Sequence, residues 1–528
     1  MRMKFFASWK LLSLLALLLL VKLFSALEGY PPTWCDEIVY AEPAVNFVND
    51  GRYAAPSIAR QLETKGLKGL DEHCFLSPPL GTYARVAMYE LFGADQTGRR
   101  LTDWVFLILT TAMLLRLLSR WVTPQATLLT GIIFVLDRIV ADDFGRPDLL
   151  SLLFGLAALF FVTRQTNPPA TEKSFFGHAY AVGLLIGLSG LCHQFGGVFW
   201  GVIVVAVQVA RPEPRWRPVK IAQWLAFFVL GGFTAALSWL PQIATAPQAW
   251  HQQFFYMLDL KYHLAKSFVG SARVLAADTF GKNPAVCLFV VASVLAVKWR
   301  NAAQTRLRRV LMVCFLLLAV WRCHSFEPYN VSYSIHFWAV ICILFAFCFD
   351  EWSAWLKQRI SSTWAHRFNN TSIVLIILAG SLTTYVAIAE AFLLPFHETR
   401  NEITELLREN ISPNDRVLVS DAFYYDVPSH SKSIWFWGEK LDLDDYNVVV
   451  APFPTAEAIP VYDGNSRTQL NDLDQYDQCF SPEQAAVFRR DFKLIAEIPT
   501  VSGMRLAPHL YTPRIKGCYI YRNLHPHP

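Results

Sequence analysis

Two adjacent carboxylates, Asp36 and Glu37, follow directly on the first long apolar segment of the chain. Ionised side chains at a membrane boundary are costly to desolvate, so they often mark a polar cavity or a functional site. A carboxylate held in such a cavity can accept a proton from a hydroxyl group and so act as a general base. The alternative is a solvated pair of acids at the membrane surface, and the pair alone leaves both interpretations open.

A second charged stretch, from Asp137 to Asp148, separates two later apolar segments and holds four acids and two arginines. Asp148 precedes an apolar helix, where an acid is also favourable simply because it complements the helix dipole. His193 ends another apolar segment, near its predicted outer end. A histidine within a span is usually a hydrogen-bonded core residue, whereas a place at the mouth of the span is compatible with a functional role, and both interpretations stay open.

Repeated apolar segments place the chain among polytopic helical membrane proteins. Of its 528 residues, 54% are hydrophobic and only 17% are charged, unlike a soluble domain. The first segment, at 8–27, predicts a retained anchor because no clear cleavage site follows it. With this anchor, the apolar segments predict about eleven membrane-spanning helices. The other ten lie at 103–119, 124–140, 148–163, 178–194, 196–210, 221–243, 283–298, 309–323, 334–349 and 371–394.

Basic residues gather in alternate connections between these segments, as with Arg116 and Arg120 after the second one. Because short basic loops stay in the cytosol, this alternation predicts a cytosolic N-terminus and places Asp36 on the opposite side. We therefore expect an integral protein of the bacterial inner (plasma) membrane. The net charge of +5 is scattered over many loops, which argues against a nucleic-acid partner.

Two extramembrane regions complete the predicted layout. The connection 244–282 has apolar residues at 254, 255, 258 and 262, which predict an amphipathic helix on the membrane. This helix either covers a groove for a lipid or packs on the outer leaflet.

After residue 395 the composition predicts a small α/β domain, at 396–528, beyond a membrane domain at 1–395. Its strands are expected near 416–420, 447–451, 492–497 and 517–521, and its helices at 398–409 and 482–490.

Several motifs resemble those of the type C (GT-C) membrane glycosyltransferases, in particular the protein O-mannosyltransferase and aminoarabinose (ArnT-like) transferase group. D-E-x-x-Y-A-E stands at 36–42, P-P-L-x-x-Y at 78–83 and L-F-G at 91–93. The sequence R-P-D at 146–148 is similar to a motif that opens the fourth span in many relatives. Ser77 departs from the pattern, since many relatives carry Lys or His there, near the donor phosphate. The phosphate contact must then come from elsewhere.

The resemblance implies an enzyme that transfers a sugar from a polyprenyl phosphate to a lipid, glycan or protein acceptor outside the cytosol. It implies the GT-C fold for the membrane domain, with a catalytic first loop at 28–100. It also implies that Asp36 is the general base. Glu37 then orients the acceptor, binds a metal or only solvates the loop. A single displacement with inversion is expected, since no nucleophile of the enzyme is evident.

Such a transfer needs positively charged groups beside the leaving phosphate, which stabilise its negative charge, and a site that excludes bulk water. Asp36, Asp148 and His73 together are also compatible with a divalent cation, Mg, Mn or Zn, which the reaction does not demand. The candidates for the donor phosphate are Arg85, Arg138, Arg146, His193 and His73.

Two other classes of protein remain open on the sequence. In a secondary transporter charges line a path through the membrane, whereas here they gather at the outer rim. In a non-catalytic envelope receptor or scaffold, the C-terminal domain would be the binding module. Transfer of sugar from a polyprenyl phosphate distinguishes the enzyme from both.

Of the ten cysteines, six lie in or beside apolar segments, where they are small buried hydrophobic residues. The other four, Cys35, Cys74, Cys479 and Cys518, fall on the oxidising side in the predicted topology. We expect two disulfides, Cys35 to Cys74 and Cys479 to Cys518, although spacing alone does not fix this pairing.

Overall fold

The structure is a computed structural model of the chain. It describes residues 2–27, 35–63, 67–137, 140, 144–164, 172–210, 218–261, 268–277, 279, 283–296, 302–325, 333–359, 371, 373–374, 396–420, 423–429, 431–434, 442–455, 480–499 and 517–525. At several helix ends, including residues 35 and 36, this description covers the backbone only.

Helices make up most of the described chain. In chain order they are α1 (Arg2–Leu27), α2 (Cys35–Asp50), α3 (Pro56–Glu63), α4 (Leu80–Phe92), α5 (Gln96–Leu118), α6 (Pro124–Leu136), α7 (Asp148–Arg164), α8 (Glu172–Cys192), α9 (Gln194–Val209), α10 (Pro218–Leu237), α11 (Leu240–Thr245), α12 (Pro247–Lys261), α13 (Phe268–Ala276), α14 (Pro284–Ala296), α15 (Ala302–Ser325), α16 (Ser334–Arg359), α17 (Phe396–Asn410) and α18 (Pro482–Asp491).

Within the described ranges, five helices are long and apolar enough to cross a membrane: those at 9–27, 96–118, 174–192, 218–237 and 334–359. Shorter apolar helices lie at 124–136, 194–209 and 284–294. Every predicted apolar segment before residue 350 coincides with a helix, and the segment 371–394 lies almost wholly outside the described residues. The chain is thus a helical membrane protein, while the number of about eleven spans stays a prediction.

Local sequence signals set the ends of the helices that carry the site. Asp95 caps α5, because its carboxylate accepts the Gly98 N–H at 2.8 Å. Thr123 caps α6, whose first turn holds a proline. Gly93 ends α4 with φ at 89°, a backbone conformation that favours glycine. Behind these ends, the helices α1, α5–α10 and α13–α16 share one large apolar core.

The first loop, at 28–100, is mostly helical. It contains α2, α3 and α4, and α2 continues through an internal proline at residue 43. Ile38, Ala55 and Ile58 are buried in a second apolar cluster away from the main helical core. This region is therefore a packed layer of short helices with an apolar cluster of its own.

The connection after α10 packs against this layer through α12. Gln253 is buried, and its side-chain oxygen accepts the Phe75 N–H at 2.7 Å. Its amide group donates to the His73 carbonyl oxygen at 3.0 Å. Phe254 joins Phe75 in a small apolar cluster, whereas Phe255 stays 48% exposed. The helix predicted in 244–282 is present, with one face against the first loop.

In the described part of the C-terminal region, five strands form one mixed sheet in the order β2-β1-β3-β5-β4. They are β1 (Arg416–Val419), β2 (Ser431–Ile434), β3 (Val448–Ala451), β4 (Phe492–Ile498) and β5 (Cys518–Asn523). β1 pairs in parallel with β2 and β3, while β5 is antiparallel to β3 and β4. The predicted strands agree with β1, β3, β4 and β5 to within two residues. The sequence did not predict β2, whose residues Ser-Lys-Ser-Ile lack a strand-like apolar pattern.

The two faces of the sheet pack on different partners, because successive strand residues point to opposite sides. Val417, Val419 and Ile520 join Ile38 and Ile58 of the first loop in one cluster. The alternate residues, including Leu418, Val449 and Tyr521, pack against Phe488 of α18 in another. The sheet therefore shares an apolar core with the first loop, and the predicted boundary at residue 395 separates two closely packed parts.

Candidate functional site

Glu37 lies in the first turn of α2 with its side chain fully buried. Arg99 Nε lies 3.2 Å from its Oε1, and Arg100 donates to both carboxylate oxygens, at 3.0 and 2.7 Å. Such charge-assisted bonds fix a carboxylate in one position. Glu37 therefore does not solvate the loop, which was one of its three predicted roles. Asp36 precedes it in the same helical turn, and its side chain is outside the described residues.

Asp103 extends this pairing along α5. Its Oδ2 lies 3.3 Å from Arg100 Nη1, and its Oδ1 lies 3.2 Å from Arg85 Nη2. The carboxylate also accepts the backbone N–H of Gly145 at 2.7 Å. Asp103 thus connects α4, α5 and the turn before α7.

Gly145 allows that turn to close on Glu37. Its φ is 83°, in the region that favours glycine. A Cβ atom at this position would lie 2.4 Å from Glu37 Cγ. The close approach of backbone to Glu37 therefore requires a residue without a side chain.

Arg146 and Asp148 complete a continuous ion network. Arg85 donates to the Arg146 carbonyl oxygen at 2.8 Å, and Arg146 Nε donates to Asp148 Oδ2 at 2.9 Å. The four arginines of this network are at most 1% exposed. With three carboxylates against four guanidinium groups, its described members carry one net positive charge. We use the term ion network for Glu37, Arg85, Arg99, Arg100, Asp103, Arg146 and Asp148.

Two histidines face the end of this network. His336 Nε2 lies 3.5 Å and His193 Nδ1 lies 3.8 Å from Asp148 Oδ1. The Trp200 indole N–H donates to His336 Nδ1 at 3.0 Å. A neutral His336 then carries its proton on Nε2, towards Asp148. This hydrogen bond assigns the tautomer and orients the ring.

Aromatic rings cover the Arg146 guanidinium. Its central carbon lies 5.2 Å from the Tyr40 ring centroid and 5.9 Å from that of Tyr333. The His193 ring contacts both tyrosines, with centroid distances of 6.3 and 5.0 Å. A cation over aromatic faces is stabilised while bulk water is kept away.

A small pocket opens beside the ion network, where α4 begins. The first N–H groups of a helix carry partial positive charge and attract anions. The Arg85 guanidinium, which is paired with Asp103, lines the pocket from one turn further along α4. The pocket thus has the chemistry of an anion site even though residue 77 is serine. It is lined by Tyr40, Ser77, Pro78, Gly81, Thr82, Arg85 and Pro147.

Glu42, the last acid of the D-E-x-x-Y-A-E motif, is buried where the first loop meets the sheet. It accepts the Ser57 N–H at 3.1 Å and hydrogen bonds from the Ser57 and Tyr424 hydroxyls. Burial raises the pKa of Glu42 to about 7, although these hydrogen bonds oppose the rise. Burial also lowers the pKa of the nearby Lys432 to about 8. An acid and a base that titrate near neutrality therefore lie at this junction.

The predicted phosphate and metal residues have different surroundings. Arg85, Arg146 and His193 lie together, whereas Arg138 falls outside the described residues. His73 stacks on Phe75, with ring centroids 6.2 Å apart, and its described contacts share no residue with those of Asp148. Among the described residues, no three His, Cys, Asp or Glu side chains are arranged to hold a metal ion. Asp148 is paired with Arg146 at 2.9 Å, and the Asp36 side chain lies outside the described residues, so the divalent cation stays a prediction.

The two predicted disulfides stay predictions, because the structure describes only one cysteine side chain of each pair. The side chains of Cys74 and Cys518 are both buried. Cys74 packs in the apolar cluster shared by the first loop and the sheet, and burial raises its pKa to about 12. Cys518 begins β5 in the same cluster. The Cys35 side chain and Cys479 lie outside the described residues.

The sequence interpretation missed Arg99, Arg100 and Asp103 as site residues. They had a signal, since three charged residues in the first turns of an apolar helix need partners. The sequence pattern also gave no sign that His336 lies close to Asp148. Tyr424 was also missed, because no local pattern connects it to Glu42.

The fold and this site together define a class: the chain has the fold of the type C membrane glycosyltransferases. It resembles, in particular, the structure of ArnT from Cupriavidus metallidurans in the apo state. That likeness has a TM-score of 0.59 and 16% identity, over 81% of this chain and 86% of that chain. The same protein bound to undecaprenyl phosphate gives a TM-score of 0.56 and 14% identity, over 80% and 85% of the two chains. No protein-family model and no curated protein sequence matches this chain.

Proposed function

We propose that this chain is a membrane glycosyltransferase that moves a sugar from a polyprenyl phosphate to an acceptor outside the cytosol. The observation that carries the proposal is the buried ion network with its excess positive charge beside the α4 pocket. Its support is the fold, which the chain shares over about four fifths of its length with ArnT, a protein solved with undecaprenyl phosphate.

The donor phosphate would bind in the α4 pocket. Arg85 supplies positive charge there, and the N–H groups of Gly81 and Thr82 lie at the start of the helix. Arg146 lies next to Arg85 through its carbonyl oxygen, with its own guanidinium against Tyr40. These groups take the place of the Lys or His that relatives carry at position 77. As the bond from the sugar to the phosphate breaks, they stabilise the charge that develops on the phosphate oxygens.

Asp36 would act as the general base. The ion pairs of Glu37, its neighbour in the first turn of α2, hold that turn against α5. A nearby cationic network keeps a carboxylate ionised and able to accept the proton of the acceptor hydroxyl. The hydroxyl oxygen then attacks the anomeric carbon as the phosphate leaves from the other side, so configuration inverts. The acceptor is a lipid, a glycan or a protein, and the enzyme works in the bacterial inner membrane.

The test uses the purified full chain in lipid nanodiscs. Undecaprenyl phosphate serves as the binding probe, and a panel of radiolabelled undecaprenyl phosphate sugars with envelope extract serves to detect transfer. Arg85→Gln should weaken binding of the probe at least tenfold, and Ser77→Asp should do so by placing negative charge in the pocket. Arg52→Gln, an exposed arginine of the same loop, should bind normally and is the matched control.

Asp36→Asn should bind the probe like the parent chain and lose about 10²–10⁴-fold in turnover. The proposal fails if the parent chain does not bind undecaprenyl phosphate. It fails equally if Ser77→Asp and Arg85→Gln both bind it unchanged. Parental turnover in Asp36→Asn would remove Asp36 as the base.

A further inference from the structure

Tyr424 and Tyr425 lie on the turn after β1 and reach from the sheet to the first loop. The Tyr424 hydroxyl donates to Glu42 in the middle of α2. The Tyr425 ring centroid lies 3.5 Å from the guanidinium carbon of Arg99, the arginine that pairs with Glu37. One of these two consecutive side chains therefore contacts the last acid of the motif, and the other contacts the arginine that pairs with its second acid.

The contact of Tyr425 depends on its ring. At 3.5 Å the ring and the Arg99 guanidinium are in van der Waals contact, a close form of the cation–π interaction. The Tyr425 hydroxyl is buried and has no hydrogen-bond partner among the described residues. Burial raises the pKa of both tyrosines well above its ordinary value. Both hydroxyls therefore stay protonated at neutral pH.

The turn that carries these tyrosines is firmly held by the sheet. Phe423 and Val427 are buried in the apolar cluster that the sheet shares with the first loop. Arg400 of α17 pairs with Asp426 at 2.9 Å. Lys432 of β2 donates to the Val427 carbonyl oxygen at 2.9 Å and lies 4.8 Å from the Tyr424 ring centroid. The turn can therefore transmit the position of the sheet to α2.

We infer that Tyr424 and Tyr425 are positioning residues that hold α2 in the orientation that presents Asp36. Glu37 and Glu42 are five residues apart, which places them roughly 140° apart around a helix. Tyr424 holds Glu42 directly, and Tyr425 holds Glu37 through Arg99. Two restraints on different sides of one helix fix its rotation about its axis. The C-terminal sheet is then part of the catalytic centre. The role of Asp36 in this inference rests on the proposed function.

Hydrogen exchange tests the inference without any substrate. In Tyr424→Phe and Tyr425→Leu, we expect the amides of α2 to exchange at least tenfold faster, with β1, β3 and β5 unchanged. Tyr521→Phe is the matched control, because its hydroxyl donates to Phe453 at 2.8 Å on the opposite face of the sheet. It should leave α2 at the parental rate. Parental exchange of α2 in both test variants overturns the inference.

Transfer kinetics give the second measurement. Tyr425→Leu should lower kcat about 10–100-fold with the donor KM unchanged, because a small displacement of the base is costly. Tyr425→Phe should restore most of this loss, since the ring makes the contact. Equal loss in Tyr425→Phe and Tyr425→Leu would refute the role of the ring. If no donor is ever used, the proposed function fails while the exchange experiment still decides the inference.

Discussion

Replacing Glu37 with Gln removes a negative charge from the ion network while almost preserving the shape of the side chain. Three guanidinium N–H groups lie within 3.2 Å of its carboxylate oxygens. In Glu37→Gln the described network would hold two carboxylates against four arginines. Removing one partner of a buried ion pair costs about 3–5 kcal/mol, because the remaining charge is uncompensated. We expect the free energy of unfolding to fall by about this amount.

The measurement is unfolding of the purified chain in mixed micelles with increasing SDS, followed by tryptophan fluorescence. Asp50→Asn is the matched control, since Asp50 ends the same helix and its pair with Arg52 is exposed. That variant should unfold at the parental midpoint, as expected for a surface ion pair. An unchanged midpoint in Glu37→Gln would refute the reasoning.

A double variant separates the lost pair from any general damage to α2. Arg99→Gln alone also breaks the pair and leaves Glu37 with Arg100. When both are changed, the loss should be smaller than the sum of the two single losses, because the interaction is removed once. Additive losses would show that the two side chains are not coupled.

Three further predictions follow from the same structure. Because the pKa of Glu42 rises from 4.5 to about 7 on folding, the folded state favours its protonated form, so stability should fall as pH rises from about 5 to 7.5. Glu42→Gln should abolish this fall in unfolding experiments over that pH range. An unchanged pH profile in this variant would contradict the burial of Glu42. The lowered pKa of Lys432 changes stability in the opposite sense, and only above about pH 8. Gly145→Ala should destabilise the chain and abolish transfer, whereas Gly177→Ala, on a helix surface with open space, should do neither. A reporter active only in the cytosol and fused after Pro395 should be inactive, and activity would overturn the predicted topology.

Local patterns predicted much of the fold. Apolar runs located the helices, and β-branched runs such as Val448-Val449-Val450 located the central strand. The acidic motif and the Pro-Pro motif also pointed to the region of the site, because the resemblance is concentrated there. What these patterns could not give was the partner of each charged residue.

Those partners are distant along the chain. Glu37 and Arg100 are separated by 63 residues, and Glu42 and Tyr424 by 382. Helix or strand periodicity carries no information about such pairings, so Tyr424 and Tyr425 gave no signal. The disulfide pairing stays a prediction for the same reason, since spacing between cysteines does not measure their distance in the fold.

The apolar core that joins the first loop to the sheet also determines when, during synthesis, the first loop can become fully packed. Ile38 and Ile58 are synthesised well before their partners Val417 and Ile520. At about 5–20 residues per second, the 382 residues between Glu42 and Tyr424 take roughly 20–80 s to synthesise. During that interval α2 lacks the sheet that packs against it, and the exposed apolar side chains of α2 are a target for chaperones and proteases. The α2 helix would therefore reach its final packing only after the sheet has been synthesised.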